Sequence, residues 1–142
     1  MTVQRLLNEK GDAIFSIPSD THVRTICTEL THRGIGALVV VDRETLVGIV
    51  SERDVVHALH RHGESAMSMT AAEIMTRAVE TCRPEERVAE VMQRMTQGRF
   101  RHLPVVVNER LVGVISIGDV VKQRIAEAEK EAAEIREYIA TI

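Results

Sequence analysis

A serine followed three residues later by an aspartate occurs twice in comparable settings: Ser51 and Asp54 in "GIVSERDVV" (48–56), Ser116 and Asp119 in "GVISIGDVV" (113–121). In each case an apolar run ends at the serine and helix-forming sequence starts directly after it, which predicts a strand-to-helix corner. Free N–H groups and the helix dipole at such a corner favour an anion. The serine hydroxyl can donate to a phosphate, and the aspartate one turn on can accept from the two hydroxyls of a ribose. Each such charge-assisted bond contributes roughly 1.5–3 kcal/mol. A phosphate donor beside a diol acceptor describes a nucleotide site. The competing reading is a capping box, in which serine and acid satisfy backbone N–H groups of the helix start. A capping box favours Glu or Gln for their reach, and the shorter Asp in both copies shifts the balance toward a ligand.

The elements that must position these residues are themselves duplicated. Offset by 65 residues, 13–56 align with 78–121 without a gap, and 14 of the 44 positions are identical. A repeat of this length is two copies of one supersecondary unit. Each copy reads β-α-β-β-α: a first strand ("AIFSI", "AVETC"), then a helix with Val23, Ile26, Cys27 and Leu30 or Val88, Val91, Met92 and Met95 at helical spacing. An apolar run, a polar turn ("DRET", "NER"), a second apolar run and the helix after the serine complete it. Thr21 is placed to cap the first helix. A unit of this size buries a marginal core, so the two copies are expected to pack face to face and share one. "HGESAMSMT" (62–70) reads as a linker, "TAAEIMT" as a short helix leading into copy two, and "TVQRLLNEK" as its counterpart before copy one. The expected division is 1–66 for the first repeat, 67–125 for the second and 126–142 for a helical extension. In that extension Val121, Ile125, Ala128, Ala132, Ile135, Ile139 and Ile142 form a heptad seam. Two readings of it stay open: a helix folding back on its own body, or a dimer contact. Three heptads with two alanines are short for a free-standing coiled coil.

Composition narrows the function classes. The chain has 142 residues, 44% hydrophobic and 2% aromatic, with a net charge of −3. That balance argues against a nucleic-acid binder. No run approaches a membrane span, and no basic head with an apolar stretch marks a leader. Cys27 and Cys82 form no paired motif and read as reduced thiols, so a cytoplasmic location is expected. No nucleophile–base–acid set, phosphate-binding loop or dinucleotide fingerprint is present, which points away from an enzyme. His57 and His60 stand three apart on a predicted helix with Glu64 as the one nearby acid, and ordinary helix histidines are the better reading than a metal site.

The duplicated pattern with "GIVSERDVV" and "GVISIGDVV", together with "EIMT" (73–76) and "GRFRHLPVVV" (98–107), resembles the CBS domain, and the pair resembles a CBS tandem, or Bateman module, from about residue 10 to 125. It looks like a stand-alone bacterial CBS-pair protein. The resemblance implies an α/β (α+β) fold of two repeats about a pseudo-two-fold, followed by a long C-terminal helix. It implies two clefts between the repeats that take adenosine-containing ligands, AMP foremost, with ADP, ATP, NAD or S-adenosylmethionine as others. The aspartates, Asp54 and Asp119, would hold the ribose, with Ser51 and Ser116 nearby. The base would lie against Ser16, Ile17 and Pro18, or against Thr81, Cys82 and Arg83. Gly36, Ala37 and Leu38 in copy one, and Arg101, His102, Leu103 and Pro104 in copy two, would face the ligand.

The two sites are not expected to be equal. Copy two has "RFRH" (99–102) where copy one has "GIGA" (34–37), and arginine suits phosphate. Arg101 and His102 can serve either their own repeat or the Asp54 cleft, and Arg53 carries the same ambiguity. The function expected is a regulatory adenine-nucleotide sensor, a homodimer acting on a regulated partner, with no nucleic-acid or membrane role. The alternative is a constitutive dimeric scaffold in which the Ser-x-x-Asp corners are caps alone.

Overall fold

The computed structural model describes residues 1–11 and 14–142. Its elements are α1 (Val3–Lys10), β1 (Ser16–Ile17), α2 (Val23–Arg33), β2 (Ala37–Asp42), β3 (Thr45–Ser51), α3 (Glu52–His62), α4 (Ala71–Ile74), α5 (Val88–Gly98), β4 (His102–Val107), β5 (Arg110–Ser116) and α6 (Ile117–Thr141). The five strands form one sheet in the order β1-β2-β3-β5-β4. Each repeat contributes an antiparallel hairpin, and the hairpins match in detail. Arg43 and Glu44 in one, Asn108 and Glu109 in the other, all take positive φ, as two-residue hairpin turns require. Both hairpins also break register at the same place, Val40/Val41 and Val105/Val106. Between the repeats the sheet is joined by the single pair Thr45 and Arg110.

The apolar residues form two cores. One gathers Val23, Ile26, Leu30, Leu38, Val40, Val50 and Val55 of the first repeat, and the other gathers Val88, Val91, Met95, Leu103, Val105, Ile115 and Val120 of the second. Each core is completed from the opposite half of the sequence. Ala71 of α4 is buried in the first core, and Val3, Leu6 and Leu7 of α1 are buried in the second. Backbone bonds fix the exchange: Val3 N–H donates to Glu86 O at 2.9 Å, and Ala71 N–H donates to Thr21 O at 2.8 Å. Glycine makes room for both helices. A Cβ at Gly48 would lie 2.5 Å from Met75 Sδ and 3.0 Å from Thr76 O, and one at Gly113 would lie 2.7 Å from Leu7 Cδ2.

Several expectations are corrected by this exchange. The repeats have a core each rather than one in common, and the short helices pack across onto the other repeat. Thr21 does not cap α2: His22 holds the N-cap position without a side-chain bond. The exposed N–H of Val23 is met by the Met69 carbonyl at 2.8 Å, so no side-chain cap is needed there. The segment 62–70 is not a bare linker, because Gly63–Ser68 wind into a 3-10 helix that buries Ala66. The first strand of copy one shrinks to Ser16–Ile17, with Ala13 outside the described residues. That of copy two shrinks to one parallel bridge between Cys82 and Val105.

Leu7→Ala tests the exchange. It removes a buried side chain that belongs in sequence to one half and in space to the other. A loss of about 2–5 kcal/mol in urea unfolding, with α6 and both hairpins still in place by NMR, is the expected outcome.

Candidate functional site

Both Ser-x-x-Asp corners stand where the sequence puts them, and both close as capping boxes. Asp54 N–H donates to Ser51 Oγ at 3.3 Å, and Ser51 N–H donates to Asp54 Oδ2 at 2.8 Å. Ser116 and Asp119 repeat the pair at 3.1 and 2.8 Å. The expectation that aspartate is too short for a capping box is therefore wrong. The serine backbone is extended, at φ −108 and ψ 167 for Ser51, and that turns its N–H onto the carboxylate. Capping does not exhaust the group. The boxes use Oδ2, and a carboxylate has about four acceptor positions.

What else meets each carboxylate differs between the copies. After α4, the chain lays Thr76 beside β3, where Thr76 and Ile49 exchange backbone bonds of 2.9 and 3.0 Å. This lets the Thr76 hydroxyl donate to Asp54 Oδ1 in a long hydrogen bond of 3.3 Å. In copy two the position of Ile49 is Val114, and its carbonyl accepts instead from Lys10 Nζ at 2.7 Å. The same ammonium donates to Asp119 Oδ2 at 2.7 Å. Partial burial pushes the Asp119 carboxyl up, but the Lys10 ammonium and the Ser116 N–H outweigh it and hold the group below the usual aspartate range. One carboxylate thus faces a hydroxyl and the other is held by a cation.

The Asp54 side opens into a cleft of about 490 Å³, within the usual size of small-molecule sites. Repeat one supplies Gly36, Ala37, Ile49, Ser51, Glu52, Arg53 and Asp54, and the second half of the chain supplies Thr76, Ala78, Val79, Glu80, Arg99, Phe100, Arg101 and His102. Arg101 and His102 therefore stand across from Asp54. Among the described residues, Arg53, Arg99 and Arg101 have no ion-pair partner. Arg99 sits at φ 56, where copy one has Gly34 at φ 61. A left-handed arginine costs roughly 1–2 kcal/mol relative to ordinary backbone, so here charge is placed on the cleft wall against local preference. Burial, aided by the positive charge of Lys10 and Arg101, lowers the His102 pKa, while Asp119 and Glu52 oppose this.

The remaining expected positions lie outside this lining. Ile17, Leu38 and Cys82 are core residues, 7%, 1% and 1% exposed, with their side chains in the cores. Burial pushes the Cys82 thiol up to about 12, which keeps it neutral. Leu103 and Pro104 are buried, Ser16, Pro18 and Arg83 are exposed, and the Thr81 carbonyl accepts from Arg94. Asp119 pairs with Lys10, and Ser116 caps α6. His57 and His60 are exposed on α3. Glu52, Thr76, Val79, Glu80 and Phe100 are lining residues that lie within the quoted motifs or runs, which do not mark them as ligand contacts. Phe100 was within reach, as one of only 2 phenylalanines and placed between two arginines.

The sequence matches the CBS domain family over residues 11–61 and 71–125. The chain belongs to the CBS-domain family. It is 36% identical over 97% of its length to the CBS domain-containing protein CBSX3, mitochondrial, of Arabidopsis thaliana, and spans 71% of that protein. It spans about a quarter of other curated plant relatives, 24% in the case of CBSCBSPB1. A CBS-domain protein crystal structure from Agrobacterium tumefaciens superposes with a TM-score of 0.82 at 38% identity, covering 87% of this chain and 99% of that one. A CBS-domain protein from Pyrobaculum aerophilum, complexed with AMP, superposes at 0.74 and 28% identity, covering 84% and 89%. The CBS pair of protein MJ0100, in complex with 5′-methylthioadenosine and S-adenosyl-L-methionine, superposes at 0.78 and 26%, covering 89% and 98%. CBS domains are generally regulatory, non-catalytic modules. No described helix is long and apolar enough to cross a membrane.

Two outcomes follow from the cleft geometry. Arg99→Gly relieves the left-handed arginine and is expected to raise stability by about 1 kcal/mol in denaturant unfolding. His102 binds its proton less readily folded than unfolded, so the unfolded chain takes up protons first as pH drops. Stability is therefore expected to fall as pH passes below about 6.5 toward the lower native value. His102→Gln should flatten that part of the curve, measured as the urea midpoint against pH.

Proposed function

We propose that this protein is a ligand-responsive regulatory module, not an enzyme, and that it binds an adenosine-containing ligand, AMP first, in the Asp54 cleft. The observation that carries this reading is the pairing of a carboxylate that has no ion-pair partner, Asp54, on one wall with Arg53, Arg99 and Arg101, which also lack ion-pair partners among the described residues. In the proposed complex Asp54 Oδ1 accepts from the ribose hydroxyls and the arginines take the phosphate. The base lies against Ile49, Val79 and Phe100. Solved relatives with AMP, or with methylthioadenosine and S-adenosylmethionine, share adenosine as their common part and support that class. ADP, ATP, NAD and S-adenosylmethionine are the competing ligands. Asp119, held by Lys10, takes no ligand in this reading, so binding is one per chain.

The response follows from how little joins the repeats. One strand pair and two exchanged helices connect them, and a ligand touching both walls favours one relative angle through its differential affinity. A homodimer and a regulated partner protein belong to the same proposal. The free cysteines fit a reducing compartment such as the cytoplasm. The alternative, a constitutive scaffold without nucleotide, is favoured by the closed capping boxes. Titration calorimetry separates the two. With AMP at a hundred times its dissociation constant, stabilisation of about 2.7 kcal/mol is expected. Asp54→Ala should weaken binding by about 10- to 100-fold while Asp119→Ala leaves it unchanged. Arg99→Gly should weaken AMP but not adenosine. No heat and no stabilisation with any of the five ligands leaves the scaffold reading.

A further inference from the structure

Helix α6 leaves the body of the protein soon after Val120, the buried residue that anchors it. From 128 to 142 every residue is exposed, including Ile135, Ile139 and Ile142 at 59%, 63% and 88%. The seam thus does not fold back on its own chain. Its steps alternate between four and three residues, placing Ile125, Ala132 and Ile139 at heptad a, and Val121, Ala128, Ile135 and Ile142 at d. The flanking positions are mostly charged: Arg124 and Glu131 at g with Tyr138, and Lys122, Glu129 and Arg136 at e.

We propose that α6 pairs in parallel with α6 of a second copy of this chain. In a parallel two-stranded coil each g residue faces the following e residue of its partner. That sets Arg124 against Glu129 of the second copy and Glu131 against Arg136, each of opposite sign and each repeated by the two-fold. The antiparallel arrangement that stacks Ala128 on Ala132 instead sets Glu129 against Glu129 and Glu131 against Glu131. Shifted by one heptad toward the C-terminus, it keeps a single attractive combination, Glu129 with Arg136. Shifted the other way, it sets Lys122 against Glu129 and Arg124 against Glu131 but overlaps only 121–132 and leaves Ile135, Ile139 and Ile142 uncovered. Charge together with coverage of the whole apolar seam thus selects the parallel pair. The short seam is adequate because the body already supplies the costly first turn: the Ser116–Asp119 box and buried Val120 start the helix, so pairing need only extend it. The existing Arg124–Glu127 contact, 3.3 Å between half-exposed groups, is weak and gives way at little cost. The contact is independent of any ligand in the cleft.

Sedimentation equilibrium of the full chain tests this. The natural chain should dimerise at micromolar concentration. An all-acidic variant, Arg124→Glu with Arg136→Glu, and an all-basic one, Glu129→Lys with Glu131→Lys, should each dissociate with a constant raised about tenfold or more. Mixed together they should form a heterodimer, which a folding defect would not produce. In a Cys27→Ser background, Ile142→Cys should cross-link under mild oxidation, since a parallel pair brings both copies of that position together. A monomer at all concentrations, a dimer indifferent to both charge variants, or a dimer that does not cross-link through position 142 overturns the proposal.

Discussion

The exchange of α1 and α4 between the repeats is the constraint from which the site follows. Neither repeat completes its core from its own stretch of chain: Val3, Leu6 and Leu7 fill the second, and Ala71 fills part of the first. Because Gly48 and Gly113 admit the helices so closely, whatever follows each helix is delivered beside the end of β3 or β5, next to an aspartate. After α4 that residue is Thr76, and at the end of α1 it is Lys10. Two copies with equal scaffolds thereby acquire unequal carboxylates. Asp54 meets a hydroxyl at 3.3 Å, and Asp119 meets an ammonium at 2.7 Å.

The same exchange lays the start of the second half across the mouth of the first repeat, so that Ala78, Val79 and Glu80 join Arg99 to His102 opposite Asp54. The cleft is lined by both halves, which is why the proposed ligand would act on their relative orientation. The left-handed Arg99 belongs to the same pattern. Copy one spends a glycine where the backbone turns left-handed, and copy two keeps an arginine there at some cost in stability, on the wall that gains from positive charge.

The fold was legible in the sequence because the repeat is its own control. Apolar runs, polar turns and serine corners recur at a fixed offset, and hairpins and capped helices are local structures that such signals specify. The corners themselves were legible in position, though the reach of aspartate was misjudged, since backbone conformation at Ser51 and Ser116 decides it. What stayed hidden depends on contacts between distant segments. Lys10 and Asp119 are far apart in the chain, and no periodicity announces their pairing. Thr76 carried a motif resemblance but no sign that its hydroxyl would face Asp54. Thr21 read as a cap because local sequence cannot show that Met69, brought in by the exchanged helix, supplies the bond instead.

The central proposal is that Asp54, which no cation holds, takes the ligand, whereas Asp119, paired with Lys10, does not. Carbon-13 NMR of the side-chain carboxyls during addition of AMP reads this directly. The Asp54 carboxyl resonance should move to saturation while that of Asp119 holds still. Movement of Asp119 with a silent Asp54 would contradict the account.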